Sequence, residues 1–365
     1  MREKLDIMQT KSTATPKLYI GLDIHKRSWK NQTATDLFWG KSFTMPPQSK
    51  VLISYVQKSF PKYEVSIAYE SGCCGFKPNR DFESFVWTSL VVNPGDIAKS
   101  TRAKFQKTDK IDAAMICREL RDGRLKSIHV PDIKREQLRC LFRRHNELVK
   151  KFRKIKSQII MRLLYLGIEI PKEYDNSNWS HGFRDWIRGI KWSHYTVDFS
   201  FQTRMIEFEF IDRMLRRVSN ELRKYCRSRY KNDYLLLKSV PGIGGIVACG
   251  ILSELGDLRR FGSFKQLVGY VGLCPSMQQS GDKTPTGGMT PVAHHLMRSY
   301  FVEASLQALR YNPVMQAYYR KHAGKDPKRI LIKVARKLLS RDSGGDQNRN
   351  ALSNRYIIKK DNKNS

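Results

Sequence analysis

The stretch LYIGLDI at residues 18–24, answered by EVSIAYE at 64–70, decides the fold of the first third of the chain. Each is a short apolar run that enters an acid, Asp23 in one and Glu70 in the other, and each has the composition of a buried strand. The polar alternation of SWKNQTAT at 28–35 lets it pair with the first strand as a hairpin. Val51, Leu52, Tyr55 and Val56 recur at helical spacing over 48–59, FVWTSLVVNP at 85–94 is a third strand ending in proline, and KTDKIDAAMICRELR at 107–121 is helical. Strands alternating with helices predict an α/β domain over 17–125, with a loose polar tail before it.

The chain then changes character. Leu138, Leu141, His145, Leu148, Phe152, Ile155, Ile159 and Leu166 follow an alternating three-four spacing that Arg162 interrupts, and Ile211, Leu215, Val218, Leu222 and Tyr225 repeat it. Residues 134–162 carry 11 Lys and Arg against 2 Glu. Two basic heptad helices flanking an aromatic insert at 169–204 predict an antiparallel coiled-coil arm; the alternative is a pair of ordinary core helices. LLLKSVPGIGGIVACGILSELG at 235–256 has the pattern of two helices around a glycine turn, 261–306 is mixed and Gly-rich, and 327–340 is a last helix. The expected organisation is a tail (1–16), an α/β domain (17–130), a basic arm with its insert (131–230), a mostly helical domain (231–340) and a basic tail (341–365).

The 365 residues include 67 Lys and Arg against 34 Asp and Glu, a formal charge of +33. That balance makes an ordinary metabolic enzyme a poor default and points to a polyanion, nucleic acid before an anionic membrane surface. No apolar run approaches the roughly 18 residues of a spanning helix, and MREKLDIMQTKSTATPKLYIG lacks the apolar centre of a secretory signal. A cytoplasmic protein without membrane partners is the expectation. The 7 cysteines are odd in number, and neither a CxxC pair nor a zinc spacing occurs, so buried reduced thiols are expected.

Four acids form the first constellation. Asp23 and Glu70 end strands, where α/β domains place their sites. Asp109 and Asp112 are three residues apart and share one helix face. Four carboxylates brought together would repel one another unless a cation compensates, and Mg²⁺, which takes oxygen ligands and keeps positions open for phosphate, suits them. Two such ions about 4 Å apart can clamp a phosphodiester. The bland alternatives are a turn residue for Asp23 and a helix N-cap for Asp109; Asp81 and Asp96 are competing acids. Gly242 and Gly244, in VPGIGGIV at 240–247, could bring backbone amides to a phosphate without reading sequence. Ser280 stands before Gly281 in the segment GLCPSMQQSGDKTPTGGMT at 272–290, beside Lys283. A serine is a weak nucleophile unless activated, and composition alone leaves Ser276 as good a candidate. Arg143, Arg144, Lys150 and Lys151 on the first heptad helix are candidate phosphate contacts, as is Arg298, which comes after His294 and His295.

Taken together these motifs resemble the DEDD transposases of the IS-one-ten group of insertion sequences, relatives of the pilin-gene invertases. GLDIHK at 21–26 resembles the family's first acidic motif and TDKIDA at 108–113 its paired aspartates; PGIG at 241–244, FGSFKQLVGYVGLCP at 261–275, SG at 280–281 and VARKLL at 334–339 resemble its C-terminal domain. The resemblance covers 17–340. It implies an RNase H-like (RuvC-like) α/β domain, a coiled-coil arm and a mostly α-helical transposase domain. It implies Mg²⁺ held by Asp23, Glu70, Asp109 and Asp112, and Ser280 as a nucleophile that forms a phosphoserine link to DNA. It further implies a site shared between subunits of a dimer to tetramer, and a noncoding bridge RNA that pairs with target and donor DNA. Two departures stand out: Gln279-Ser280-Gly281 where the family often has Ser-Ser-Gly, and TPVAHHLMR at 290–298 where a Gly-Asn is usual. A structure-specific nuclease of the Holliday-junction type, needing only the acids, and a non-catalytic nucleic-acid scaffold are the competing functions.

Overall fold

The computed structural model describes residues 15–97, 109–175, 179–277, 286–290 and 293–339, without the side chains of 109–111, 275–277 and 286–288. It divides into two compact units, Met1–Val130 and Pro131–Ser365.

The first unit is built on a five-stranded sheet in the order β3-β2-β1-β4-β5. Its strands are β1 (Lys17–Ile24), β2 (Trp29–Thr35), β3 (Trp39–Met45), β4 (Glu64–Glu70) and β5 (Thr88–Val92). β1, β2 and β3 form an antiparallel meander, while β4 and β5 run parallel to β1. β3 is an addition to the expected strands: WGKSFTM is an edge strand with little apolar content, so no apolar run marks it. Side chains alternate across β1. Leu18, Ile20 and Leu22 face helices α1 (Ser49–Ser59) and α2 (Lys77–Glu83) in a core with Leu52, Val56, Ile67 and Phe82. On the opposite face Ala68 and Val92 pack with Ile116 and Leu120 of α3 (Asp109–Arg121).

Gly21 sets how α3 lies on that face. A Cβ there would stand 2.2 Å from the Ala113 carbonyl oxygen and 2.3 Å from the Cys117 nitrogen. The helix backbone therefore rests directly on β1. One turn on, the buried Cys117 Sγ donates to the Tyr19 carbonyl at 3.5 Å, and burial pushes that thiol up to about 12. Arg121, at the last turn of α3, lies 4.5 Å from the Trp39 ring, and Trp39 is level with Ala34 and so with Tyr19 near the start of β1; α3 therefore runs antiparallel to β1.

The second unit is almost entirely helical. Helices α4 (Ile133–Tyr165) and α6 (Tyr195–Arg229) flank the short α5 (His181–Gly189). Leu138 and Phe142 share a core with Leu222 and Cys226, while Ile155 and Ile159 share one with Met205 and Phe208, so the two long helices are antiparallel. The buried positions depart from the expected coiled-coil heptads, and Leu138, Phe142, Leu222 and Cys226 belong to the core of the helices that follow. Phe142 is fully buried and Leu141 only partly, and the seam ends in two successive four-residue steps, Ile155, Ile159 and Leu163. From the insert, Trp179 packs against Phe208 and Phe183 packs edge-on against Trp179, so this end is a three-element core rather than a bare two-helix seam. The chain continues through α7 (Lys231–Lys238), α8 (Gly245–Gly250) extended by a π-helical turn at Ile251–Leu255, α9 (Phe264–Val271), the paired strands β6 (Pro275–Met277) and β7 (Thr286–Met289), α10 (His295–Tyr311), α11 (Pro313–Arg320) and α12 (Pro327–Leu339).

All seven cysteines are free thiols. The expectation that they are buried holds for Cys117, Cys226 and Cys249, but Cys73 and Cys140 are exposed and Cys74 and Cys274 are half-buried. No described helix is long and apolar enough to cross a membrane.

Gly21→Ala should lower the stability of the first unit by about 1–3 kcal/mol, the usual cost of overpacking. Chemical denaturation followed by far-ultraviolet circular dichroism measures this, and a neutral result would mean that α3 does not rest on β1.

Candidate active site

β1 and β4 are neighbours in parallel register, with Leu22 opposite Tyr69. Asp23 and Glu70 come immediately after these two residues, so they stand side by side where the two central strands end. The alternation that sends Leu22 and Tyr69 into the α1–α2 core sends Asp23 and Glu70 to the face that α3 covers. His25 Nε2 lies 3.1 Å from Asp23 Oδ2. The antiparallel α3 begins at this same end of the sheet. Asp112 is half-buried in its first turn. Asp109 opens the helix, and its side chain lies outside the described residues. Among the described residues no three His, Cys, Asp or Glu side chains converge as a metal cluster. The donor set is nonetheless all oxygen at the strand ends, the kind a hard divalent cation takes. The two competing acids stand elsewhere: Asp81 accepts from Lys77 at 2.8 Å and from Ser49 at 2.8 Å, and Asp96 lies exposed beyond β5.

In the second unit, Ser280 and Lys283 fall between β6 and β7 and lie outside the described residues, and the side chain of Ser276 does too. The chain leaving β7 is well tied down. Thr290 donates through its hydroxyl to the Cys274 carbonyl at 2.8 Å and through its amide to the same oxygen at 3.2 Å. Arg298 Nη2 donates to the Thr290 carbonyl at 2.9 Å and lies 3.2 Å from His295 Nδ1. Arg298 thus braces the closing end of the segment that contains Ser280, while its buried Nε has no partner among the described residues.

The glycine turn divides its two predicted residues between different tasks. Gly242 has φ +86°, and a Cβ on it would stand 2.1 Å from the Ala304 carbonyl oxygen of α10. Its bareness serves helix packing. Gly244 precedes α8 with open space around its Cα. The cleft there is lined by Lys238 but also by Glu303, which opposes an anion.

One deeply buried acid carries no mark in the sequence. Glu254, in the π-helical turn, is 1% exposed. Arg143 Nε and Nη2 donate to its two oxygens at 2.8 and 3.0 Å, and His294 Nε2 lies 3.2 Å from Oε2. His294 Nδ1 accepts from the Met297 amide at 3.3 Å, so the neutral ring carries its proton on Nε2 and donates it to Glu254. Arg139 holds the same turn through the carbonyls of Ser253 and Glu254 at 2.9 and 3.0 Å. Burial acts to raise the Glu254 carboxyl, but the hydrogen bonds from His294 and Arg143 outweigh it and hold it at about 2. Nothing in SerGluLeuGly signals this, because the partners are more than a hundred residues upstream and forty downstream in sequence. Arg143, Lys150, His294 and His295 line a cleft of about 460 Å³ over this acid. Arg144 pairs with Glu147 at 3.2 Å, and Lys151 is exposed on α4.

Residues 20–166 match the family described as Transposase, the DEDD domain of the IS110 type, and residues 234–320 match the family described as Transposase IS116/IS110/IS902. A Sinorhizobium fredii protein provisionally named as transposase y4qE is 26% identical over 306 residues, 81% of this chain and 72% of that one. A Moraxella bovis pilin gene-inverting protein is 31% identical over 120 residues, 32% of this chain and 37% of its own. The transposase for insertion sequence element IS1111A of Coxiella burnetii is 25% identical over 84 residues, 23% of each chain.

Glu254 sits below the ordinary carboxyl value of 4.5 when folded. Its contribution to stability is therefore complete above that value and is lost as the pH falls toward about 2. Glu254→Gln should remove about 3–5 kcal/mol, as breaking one side of a buried ion pair does. The dependence of stability on pH between about 5 and 2 should flatten in the variant relative to the parent when measured by denaturation.

Proposed function

The chain belongs to the IS110 family of insertion-sequence transposases, enzymes that cut and join DNA, and on that premise we propose that it recombines DNA through Asp23, Glu70, Asp109, Asp112 and Ser280. One observation carries the acidic half. Asp23 and Glu70 end adjacent parallel strands on the face covered by α3, and α3 runs back toward them from a first turn containing Asp109 and Asp112.

The first unit is read as RNase H-like, a fold that the match to the DEDD family implies and that the mixed five-stranded sheet supports. The four carboxylates fit Mg²⁺, which when bound would polarise the scissile phosphate and offset negative charge. The chain's own carboxylates orient the strand against that face, and His25 holds the Asp23 carboxylate in one direction. Ser280 is the proposed nucleophile. Its oxygen bonds to phosphorus as one ester P–O bond of the strand breaks; its proton passes to a base, and the departing sugar oxygen takes one up. Rejoining reverses the step on a second strand. Arg298 positions the segment after Ser280 through Thr290.

A noncoding bridge RNA is proposed to choose target and donor DNA by base pairing. The protein then needs to hold phosphates rather than read bases. The charge of +33 supports this, with Arg143, Arg144, Lys150, Lys151, Lys283 and the uncrowded Gly244 as proposed contacts. Recombination between paired DNAs calls for more than one copy. Exposed Leu164, Tyr165, Tyr195, Phe199 and Ile206 near the joined ends of α4 and α6 support self-association into a dimer or tetramer through this arm.

A denaturing gel after incubation with Mg²⁺, the element's noncoding RNA and labelled DNA tests the proposal. The parent should give a covalent protein–DNA adduct, and Ser280→Ala should give none. Asp23→Asn should slow cutting about 100-fold or more, about 2.7 kcal/mol of barrier. Cutting without an adduct that still needs Asp23 would favour a junction-resolving nuclease; binding indifferent to both substitutions would favour a scaffold.

A further inference from the structure

Cys73 and Cys74 come three and four residues after Glu70, at the carboxyl end of β4. Consecutive side chains in a strand point to opposite faces, and two neighbouring thiols would normally be kept apart. Here the chain turns. The Gly75 amide donates to the Gly72 carbonyl at 3.2 Å, and Gly75 takes φ +61°, which suits glycine. This turn brings the two sulfur atoms to 3.9 Å on the same side. It is held from both ends. The Tyr69 hydroxyl donates to the Gly75 carbonyl at 3.0 Å and accepts the Asn79 amide at 3.3 Å, and the Ser71 amide donates to the Val92 carbonyl at 2.9 Å. Cys73 is exposed and Cys74 half-buried, so solvent reaches the pair.

We propose that Cys73 and Cys74 form a vicinal dithiol site for soft, thiophilic metal and metalloid ions, of the class represented by trivalent arsenic. The proposal does not depend on the DNA chemistry. Soft ions select sulfur, whereas the neighbouring strand-end carboxylates offer hard oxygen, so one end of the sheet carries two sites of different preference. Burial, and then the hydrogen bond with Cys73, push the Cys74 thiol above its ordinary value, which argues against a resting thiolate nucleophile at this position. A ligating ion overcomes that by displacing the proton. Cys226 and Cys249 are also neighbours, but both are buried in the second core. Cys140 is exposed on α4, away in sequence from any other thiol.

With phenylarsine oxide the step balances without electron transfer. Two S–H bonds and the arsenic–oxygen bond break, two arsenic–sulfur bonds form, and the oxygen leaves as water with both protons.

The full-length protein is treated with one equivalent of phenylarsine oxide, washed with excess mercaptoethanol and weighed by intact-mass spectrometry. The expected result is one phenylarsenic adduct per chain that survives the monothiol and is removed by dimercaptopropanol. Cys73→Ser and Cys74→Ser, each checked for an unchanged circular-dichroism spectrum, should lose the monothiol-resistant adduct, and Cys140→Ser should keep it. An adduct stripped by mercaptoethanol in the parent, or one that persists in Cys73→Ser, overturns the proposal.

Discussion

The contact between a bare strand and a bare helix turn organises the first unit. Because Gly21 has no side chain, α3 lies with the Ala113 carbonyl and Cys117 amide directly against β1, and the Cys117 thiol completes the seat on Tyr19. A seat this close fixes the direction and height of the helix. Since α3 runs antiparallel to β1, its first turn stands at the end of the sheet where Asp23 and Glu70 emerge. The placement of that first turn is thus a consequence of packing that begins at Ala113, the residue next to Asp112.

The second unit is organised by a polar contact instead. Glu254 gathers Arg143 from α4, His294 from the start of α10 and, through its backbone, Arg139. A carboxylate buried to this degree is costly alone and is retained only when its oxygens are satisfied. Here they are satisfied by groups from distant stretches, so the acid ties a long helix to the segment that leads into α10. The π-helical turn that carries it departs from regular helix where such departures often accompany function.

Much of the first unit was legible because its signals are local. Apolar runs ending in Asp23 and Glu70, and the helical stretch at 107–121, each fit in a short window. β3 was not legible, since an edge strand needs no apolar face. The stripes mark α4 and the 211–225 part of α6, but α6 begins at Tyr195, inside the stretch expected as insert, and the choice of Phe142 over Leu141 depends on which side chain α6 and α8 leave room for. Glu254 and the Cys73–Cys74 pair were missed for one reason: their meaning lies in partners or turn geometry that spacing does not encode. Gly242 was read as open to a phosphate, but the neighbour that claims it, Ala304, is about sixty residues away in sequence.

The proposal on which the rest depends is that Asp23, Glu70 and the first turn of α3 bind Mg²⁺ together. Fe²⁺ can replace Mg²⁺ at oxygen sites, and with ascorbate and peroxide it cleaves nearby backbone through hydroxyl radicals. Mapping those cuts on the full chain tests the claim most directly. The account predicts cuts grouped near residues 23, 70 and 109–112, suppressed by excess Mg²⁺ and by Asp23→Asn. Cuts at only one of these segments, or a pattern indifferent to Mg²⁺, would contradict it.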